Sequence, residues 1–223
     1  MGLSTAEREP KAEPAGSTDA TRSPLLPRAI EALWRRGDPV WIFAYGSLIW
    51  EPVFAHDEAE PALLRGYHRA FCLYSFDYRG TPAAPGLVLG LDRGGSCHGI
   101  AFRLARQGIA GSLERLWRRE MTVPPVYDLR QLPIRAKHTR QTALAFTVRR
   151  DRPDYAGRLS LDDAARLIAR AQGRLGSCRD YLDKTLAHLA ARGIVDRPLR
   201  CLAERVAAVS PEVVVPARDK RPV

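Results

Sequence analysis

The sequence predicts an α+β domain built on a mostly antiparallel sheet or barrel, with helices flanking it. Three observations carry that prediction. Strand-like apolar segments fill the N-terminal and central parts of the chain. Two of them, residues 132–139 and 142–149, are spaced to pair as a hairpin. Helices with good capping residues make up the C-terminal third. Strands gathered before helices point to segregated layers.

Each element has a local cause. Residues 29–36 form a short helix that Gly37-Asp38-Pro39 ends. The unbroken apolar run 40–45 is the first core strand. Residues 63–76 are rich in aromatics, with the apolar centre Ala70-Phe71-Cys72-Leu73-Tyr74. The Gly- and Pro-rich stretch 78–86 breaks that strand. Residues 87–91 form another strand, and Asp92-Arg93-Gly94-Gly95 turns the chain into 97–104, where Ile100, Phe102 and Leu104 alternate with small or polar residues. A helix covers 109–121. Ser160 caps a helix running through Arg170, and Ser177 caps a second that stops at Gly193. A third spans 198–206.

The chain has 223 residues and is 45% hydrophobic, enough for one compact domain with a substantial core. There is no internal repeat and no second domain. Residues 1–24 are rich in Ala, Glu, Pro, Ser and Thr without periodicity and read as a disordered tail. The single domain then spans 25–208, and 209–223 is a C-terminal tail.

No apolar run approaches the length of a membrane span. The N-terminus carries Glu7, Glu9 and Glu13 and lacks the apolar segment of a secretory signal. Met1-Gly2 invites myristoylation, but Ala6 stands where Ser or Thr is required. The expectation is a soluble cytoplasmic protein. The net charge of +10 raises nucleic-acid binding as a function. The cations are nearly all Arg, with Lys only at 11, 137, 184 and 220, and they are dispersed without a dense basic block or interleaved aromatics. Nucleic acid is therefore not expected as a partner. Cys72, Cys97, Cys178 and Cys201 form no CxxC pair and no metal-ligand spacing. No His stands clearly placed to activate a Cys nucleophile, and no metal or cofactor is expected.

Two features point to chemistry. Tyr45-Gly46-Ser47-Leu48 ends the first core strand. A tight turn there can aim main-chain N–H groups at one point, which suits a carboxylate. On the helix at 109–121, Leu113, Leu116 and Trp117 mark the buried stripe, and the next position on it is Glu120. Burial disfavours an ionised carboxylate and raises its pKa toward the range of a general base. The structural alternative is a carboxylate paired with a buried Arg, or one drifting into solvent at the helix end.

These residues belong to a wider pattern. Tyr45-Gly46-Ser47-Leu48-Ile49-Trp50 resembles the opening signature of the ChaC-like γ-glutamylcyclotransferases. Gly66-Tyr67-His68-Arg69, Arg79-Gly80-Thr81-Pro82 with Pro85-Gly86, Gly99-Ile100-Ala101-Phe102-Arg103-Leu104, Arg119-Glu120 and Asp180-Tyr181-Leu182 resemble its later blocks, in order, across residues 40–206. The resemblance implies a γ-glutamylcyclotransferase-like, mostly antiparallel barrel with flanking helices. It implies cleavage of glutathione to 5-oxoproline and cysteinylglycine, without metal or cofactor, with Glu120 as general acid/base. Tyr45, Gly46, Ser47, Leu48 and Tyr181 are the implied substrate-binding residues, with Arg79 either pairing with the glycyl carboxylate or capping a turn. Tyr45 serves substrate or packing equally well. His68, His98 and His138 read as structural, and Trp50 and Trp117 as core. The alternatives are a cyclotransferase for other γ-glutamyl peptides or amines and a non-catalytic binding domain. Two blocks depart from the family: Leu87 follows Pro85-Gly86 where some members have Arg, and Met121-Thr122-Val123-Pro124-Pro125-Val126 replaces a Gly-rich turn before Tyr127.

Overall fold

The structure, a computed structural model, describes residues 28–121, 125–137 and 139–209. The expected N-terminal tail and all but the first residue of the C-terminal tail lie outside the described residues, as does His138.

Helix α1 (Arg28–Arg35) leads into strand β1 (Trp41–Ala44), whose residues are all buried. Strands β2 (His56–Ser75), β3 (Gly86–Leu104), β4 (Tyr127–Ala136) and β5 (Thr139–Val148) complete a closed barrel in the order β1-β3-β2-β4-β5. β1 and β5 close it as a parallel pair, with Trp41 opposite Ala143 and Ile42 opposite Leu144. The other four pairings are antiparallel. A mostly antiparallel barrel with flanking helices is thus what forms. Ile42, Phe43 and Ala44 are fully buried because the strand is enclosed on both sides.

Two turns differ from expectation. Asp92-Arg93-Gly94-Gly95 does not split the strand, and β3 runs unbroken through it. Both halves of β3 pair with β2, which begins at His56, earlier than its apolar pattern signals. Arg65 lies opposite Ser96 and Tyr67 opposite Arg93, so Gly94 and Gly95 face the single Gly66. All three glycines have positive φ (+100°, +69° and +84°). They form a bulge that bends the two long strands together, which closes the barrel without ending either strand. The β4–β5 turn also moves. Ala136 pairs with Thr139, with Lys137 at φ +48° between them. This turn begins three residues before the expected break at Arg140-Gln141 and extends β4 back to Tyr127.

Helix α2 (Ile109–Glu120) lies between β3 and β4. The C-terminal helices are α3 (Leu161–Arg170), α4 (Cys178–Ala191) and α5 (Arg197–Ala208), with a two-stranded ribbon, β6 (Gln172–Gly173) and β7 (Gly176–Ser177), before α4. Their caps match the sequence: Ser160 accepts from the Asp163 amide and Ser177 from the Asp180 amide, at 3.1 and 3.0 Å. α4 turns Tyr181, Leu182, Thr185 and Leu189 into the core. Ser177→Ala removes the cap of this helix and is expected to cost about 1 kcal/mol in urea denaturation.

Arg69 joins the barrel to the helical layer. Its side chain is 2% exposed. It donates to the Tyr45 and His98 carbonyls and to the carboxylate of Asp196. Asp196 in turn caps α5 by accepting from the Leu199 amide at 3.1 Å. Among the described residues, no helix is long and apolar enough to cross a membrane.

Candidate active site

Beyond Ala44 the chain leaves β1 and turns through a short 3-10 segment, Ser47–Ile49. The Ile49 amide donates to the Gly46 carbonyl and the Glu51 amide to the Ser47 carbonyl, both at 2.9 Å. Leu48 and Ile49 are buried and pin the turn to the core. The first N–H groups of such a turn have no acceptor within it and point outward. Gly46 has φ −136°, outside the left-handed region. What keeps the position small is space: a Cβ would sit 3.3 Å from the Tyr181 hydroxyl and 3.7 Å from the Leu89 side chain.

Glu120 is the last residue of α2 and extends its inward stripe. Ser112, Leu113 and Leu116 are buried on that stripe, and the Glu120 side chain is 16% exposed. Burial pushes its carboxyl up to about 7, and the neighbouring Arg119 guanidinium opposes part of that rise. A carboxylate in that range accepts and returns protons near neutral pH.

The two features meet in one cleft. Its wall contains Tyr45, Gly46, Ser47 and Leu48 from the loop, Glu120 from α2 and Tyr181 from α4. Leu89 of β3, Tyr127 of β4 and Phe146 of β5 complete it. The Tyr127 hydroxyl donates to the Leu89 carbonyl at 3.2 Å. Phe71 meets the Tyr181 ring edge-on. Burial raises the pKa of all three phenols, so each presents a neutral O–H. The cleft volume is about 30 Å³, room for about two water-sized groups. A larger cavity, about 180 Å³, opens around Gly37, Arg103 and Ile109; it shares no wall residue with the cleft that holds Glu120.

Arg79 is not on the cleft wall. It donates to the Leu175 carbonyl, and its guanidinium lies 5.2 Å over the Tyr181 ring, behind that side chain. Trp50 and Trp117 are half-buried. Trp50 stacks on His188 and tilts against Tyr181. His68 and His98 are not on the wall either. Cys72, Cys97 and Cys178 are buried thiols whose pKa values burial pushes up, to about 12, 11 and 11, and none lines the cleft.

Sequence reasoning passed over several residues here. Tyr127 precedes the apolar alternation that marks its strand. Leu89 and Phe146 read as ordinary core. Arg119 falls on the helix face expected to meet solvent, yet it bonds Ser47 and Glu51 in the loop. The helical wheel of α2 cannot register the strand-end loop lying against it.

A strand-end loop and a buried carboxylate thus share one cleft on a closed five-stranded barrel. A solved yeast structure, described as a γ-glutamyl cyclotransferase specific to glutathione, shares this fold with a TM-score of 0.70 at 22% identity, over 76% of this chain and 96% of that one. The model of the family described as "ChaC-like protein" matches residues 40–209. The glutathione-specific γ-glutamylcyclotransferase of Escherichia coli K12 is 37% identical over 167 residues, 74% of this chain and 71% of that protein. Glutathione-specific γ-glutamylcyclotransferase 1 of Homo sapiens is 31% identical over 176 residues, 76% of each chain. The chain belongs to the ChaC-like family.

Proposed function

We propose that this protein is a glutathione-specific γ-glutamylcyclotransferase with Glu120 as its general acid/base. The observation that supports this best is a buried carboxylate, poised near neutral pH, in one cleft with the Gly46-Ser47 turn. Relatives described as glutathione-specific γ-glutamylcyclotransferases point to glutathione as the substrate.

The loop amides of Ser47 and Leu48 hold the α-carboxylate of the γ-glutamyl group. Glu120 takes a proton from the substrate's α-amine. The amine nitrogen attacks the γ-carbonyl carbon, forming the C–N bond of a five-membered lactam. The amide C–N bond to cysteine breaks as Glu120 returns its proton to the departing nitrogen. The products are 5-oxoproline and cysteinylglycine, and the atoms balance without water or an external nucleophile. Positioning of an intramolecular reaction of this kind is worth on the order of 7–11 kcal/mol. The neutral phenol of Tyr45 on the cleft wall is a donor available to the developing oxyanion. Arg79 serves by backing the Tyr181 ring. The small cleft has room for a carboxylate-sized group and leaves the cysteinylglycine portion outside it.

The catalytic unit is residues 25–208. A cytoplasmic setting agrees with the free thiols of Cys72, Cys97, Cys178 and the exposed Cys201.

Purified protein incubated with glutathione is expected to release 5-oxoproline, with far less from γ-glutamyl-alanine. Product from the dipeptide alone would reassign the substrate to other γ-glutamyl compounds. Absence of product from both would leave a binding domain.

A further inference from the structure

Arg119 touches both halves of the site. Its Nη1 donates to the Glu51 carbonyl at 2.8 Å and its Nη2 to the Ser47 hydroxyl at 3.0 Å. Its Nε lies 3.3 Å from Glu120 Oε1. The side chain is 24% exposed, so these contacts are partly shielded from water. The contact with the Glu51 carboxylate is longer, 3.4 Å, and that carboxylate is 68% exposed; an ion pair of this kind contributes little. The main-chain carbonyl and the Ser47 hydroxyl are different, because the 3-10 turn holds both in place. A planar guanidinium can address these acceptors and a carboxylate together, which a point-charge ammonium cannot.

We propose that Arg119 is a positioning residue for the cyclisation, holding the Ser47–Glu51 turn and the Glu120 carboxylate at a fixed separation. The inference rests on the reading of Glu120 as the base. The groups facing Glu120 from the packed elements are Tyr45 after β1, Tyr127 on β4 and Tyr181 on α4, all neutral phenols. Arg119 is the cation acting on Glu120, and its charge favours the carboxylate form. Its removal therefore moves the carboxyl toward higher pH as well as loosening the turn.

The test measures kcat/KM for 5-oxoproline release from glutathione across about pH 5 to 9 for wild type, Arg119→Gln and Arg119→Lys, with thermal unfolding to verify folding. In Arg119→Gln, kcat/KM falls about 10- to 100-fold, and the acid limb moves up by on the order of one pH unit. In Arg119→Lys, the limb returns to the wild-type position, while about a tenfold rate loss remains because one ammonium cannot bridge the acceptors. Wild-type rates in both variants overturn the inference. So does a rate loss in Arg119→Gln with an unmoved acid limb, which marks a merely structural residue. If Arg119→Gln does not fold, full wild-type activity in Arg119→Lys overturns it alone. Wild-type protein that makes no 5-oxoproline overturns the underlying reaction instead, so the two failures are distinguishable.

Discussion

Glu120→Gln is expected to lower 5-oxoproline formation by about 10³-fold, within the range of a lost general acid/base. Glutamine has nearly the same size and keeps a hydrogen-bonding terminus, but its amide cannot take the amine proton. Wild-type activity should itself fall as the pH drops through about 7, where the carboxyl gains its proton. The substitution should also raise stability in mildly alkaline solution. The carboxyl titrates at about 7 in the folded chain against an ordinary 4.5, so the folded state binds more protons between those values. Its contribution to stability is fully present below about 4.5 and is lost as the pH rises through about 7. Above that, the ionised, buried carboxylate is a penalty on the order of 3 kcal/mol, which Gln does not carry. Urea denaturation at pH 8 is therefore expected to show Glu120→Gln as more stable than wild type, and at pH 4 the difference should vanish. A variant with rates within tenfold of wild type would remove Glu120 from the mechanism.

Arg69→Met is expected to destabilise the fold by about 3–5 kcal/mol, since it leaves Asp196 without its buried cation and frees two acceptor carbonyls. For a domain of this size that is a fall of about 10 °C in Tm. Asp196 feels the loss twice, because its other oxygen caps α5. The double variant Arg69→Met with Asp196→Asn should be less destabilised than the sum of the single changes, which isolates the pair. A loss below about 1 kcal/mol in Arg69→Met would show that the pair offsets only its own desolvation. The Tyr45 carbonyl is one of the released acceptors, so the KM for glutathione should rise in any variant that still folds.

The contrast between these residues shows what local pattern can and cannot reveal. Glu120 was legible because a charged residue continued an apolar helical stripe. The turn at Gly46-Ser47 was legible because an apolar run stopped abruptly there. Tyr181 was singled out through the family resemblance, and the structure places it near the start of a capped helix, on the cleft wall. Arg69 was seen only as part of a motif. Nothing in its neighbours indicates that it is buried, because its partners Tyr45, His98 and Asp196 lie 24, 29 and 127 residues away. The contact of Arg119 with the turn was not legible for the same reason, since Ser47 is 72 residues distant.

By itself the sequence determined the segregated α+β order, the helix caps, the strand-end turn and the inward carboxylate. Those depend on periodicity, capping and glycine, which act over a few neighbouring residues. Tertiary structure decided that β3 bends rather than breaks, because β2 supplies partners along its whole edge. It also decided that Tyr127 enters the cleft, that Arg79 stands behind Tyr181, and that Arg119 spans turn and carboxylate. The reason is barrel closure: it brings hydrogen-bonding groups from distant parts of the chain together, and each buried polar atom takes the partner that closure puts within reach.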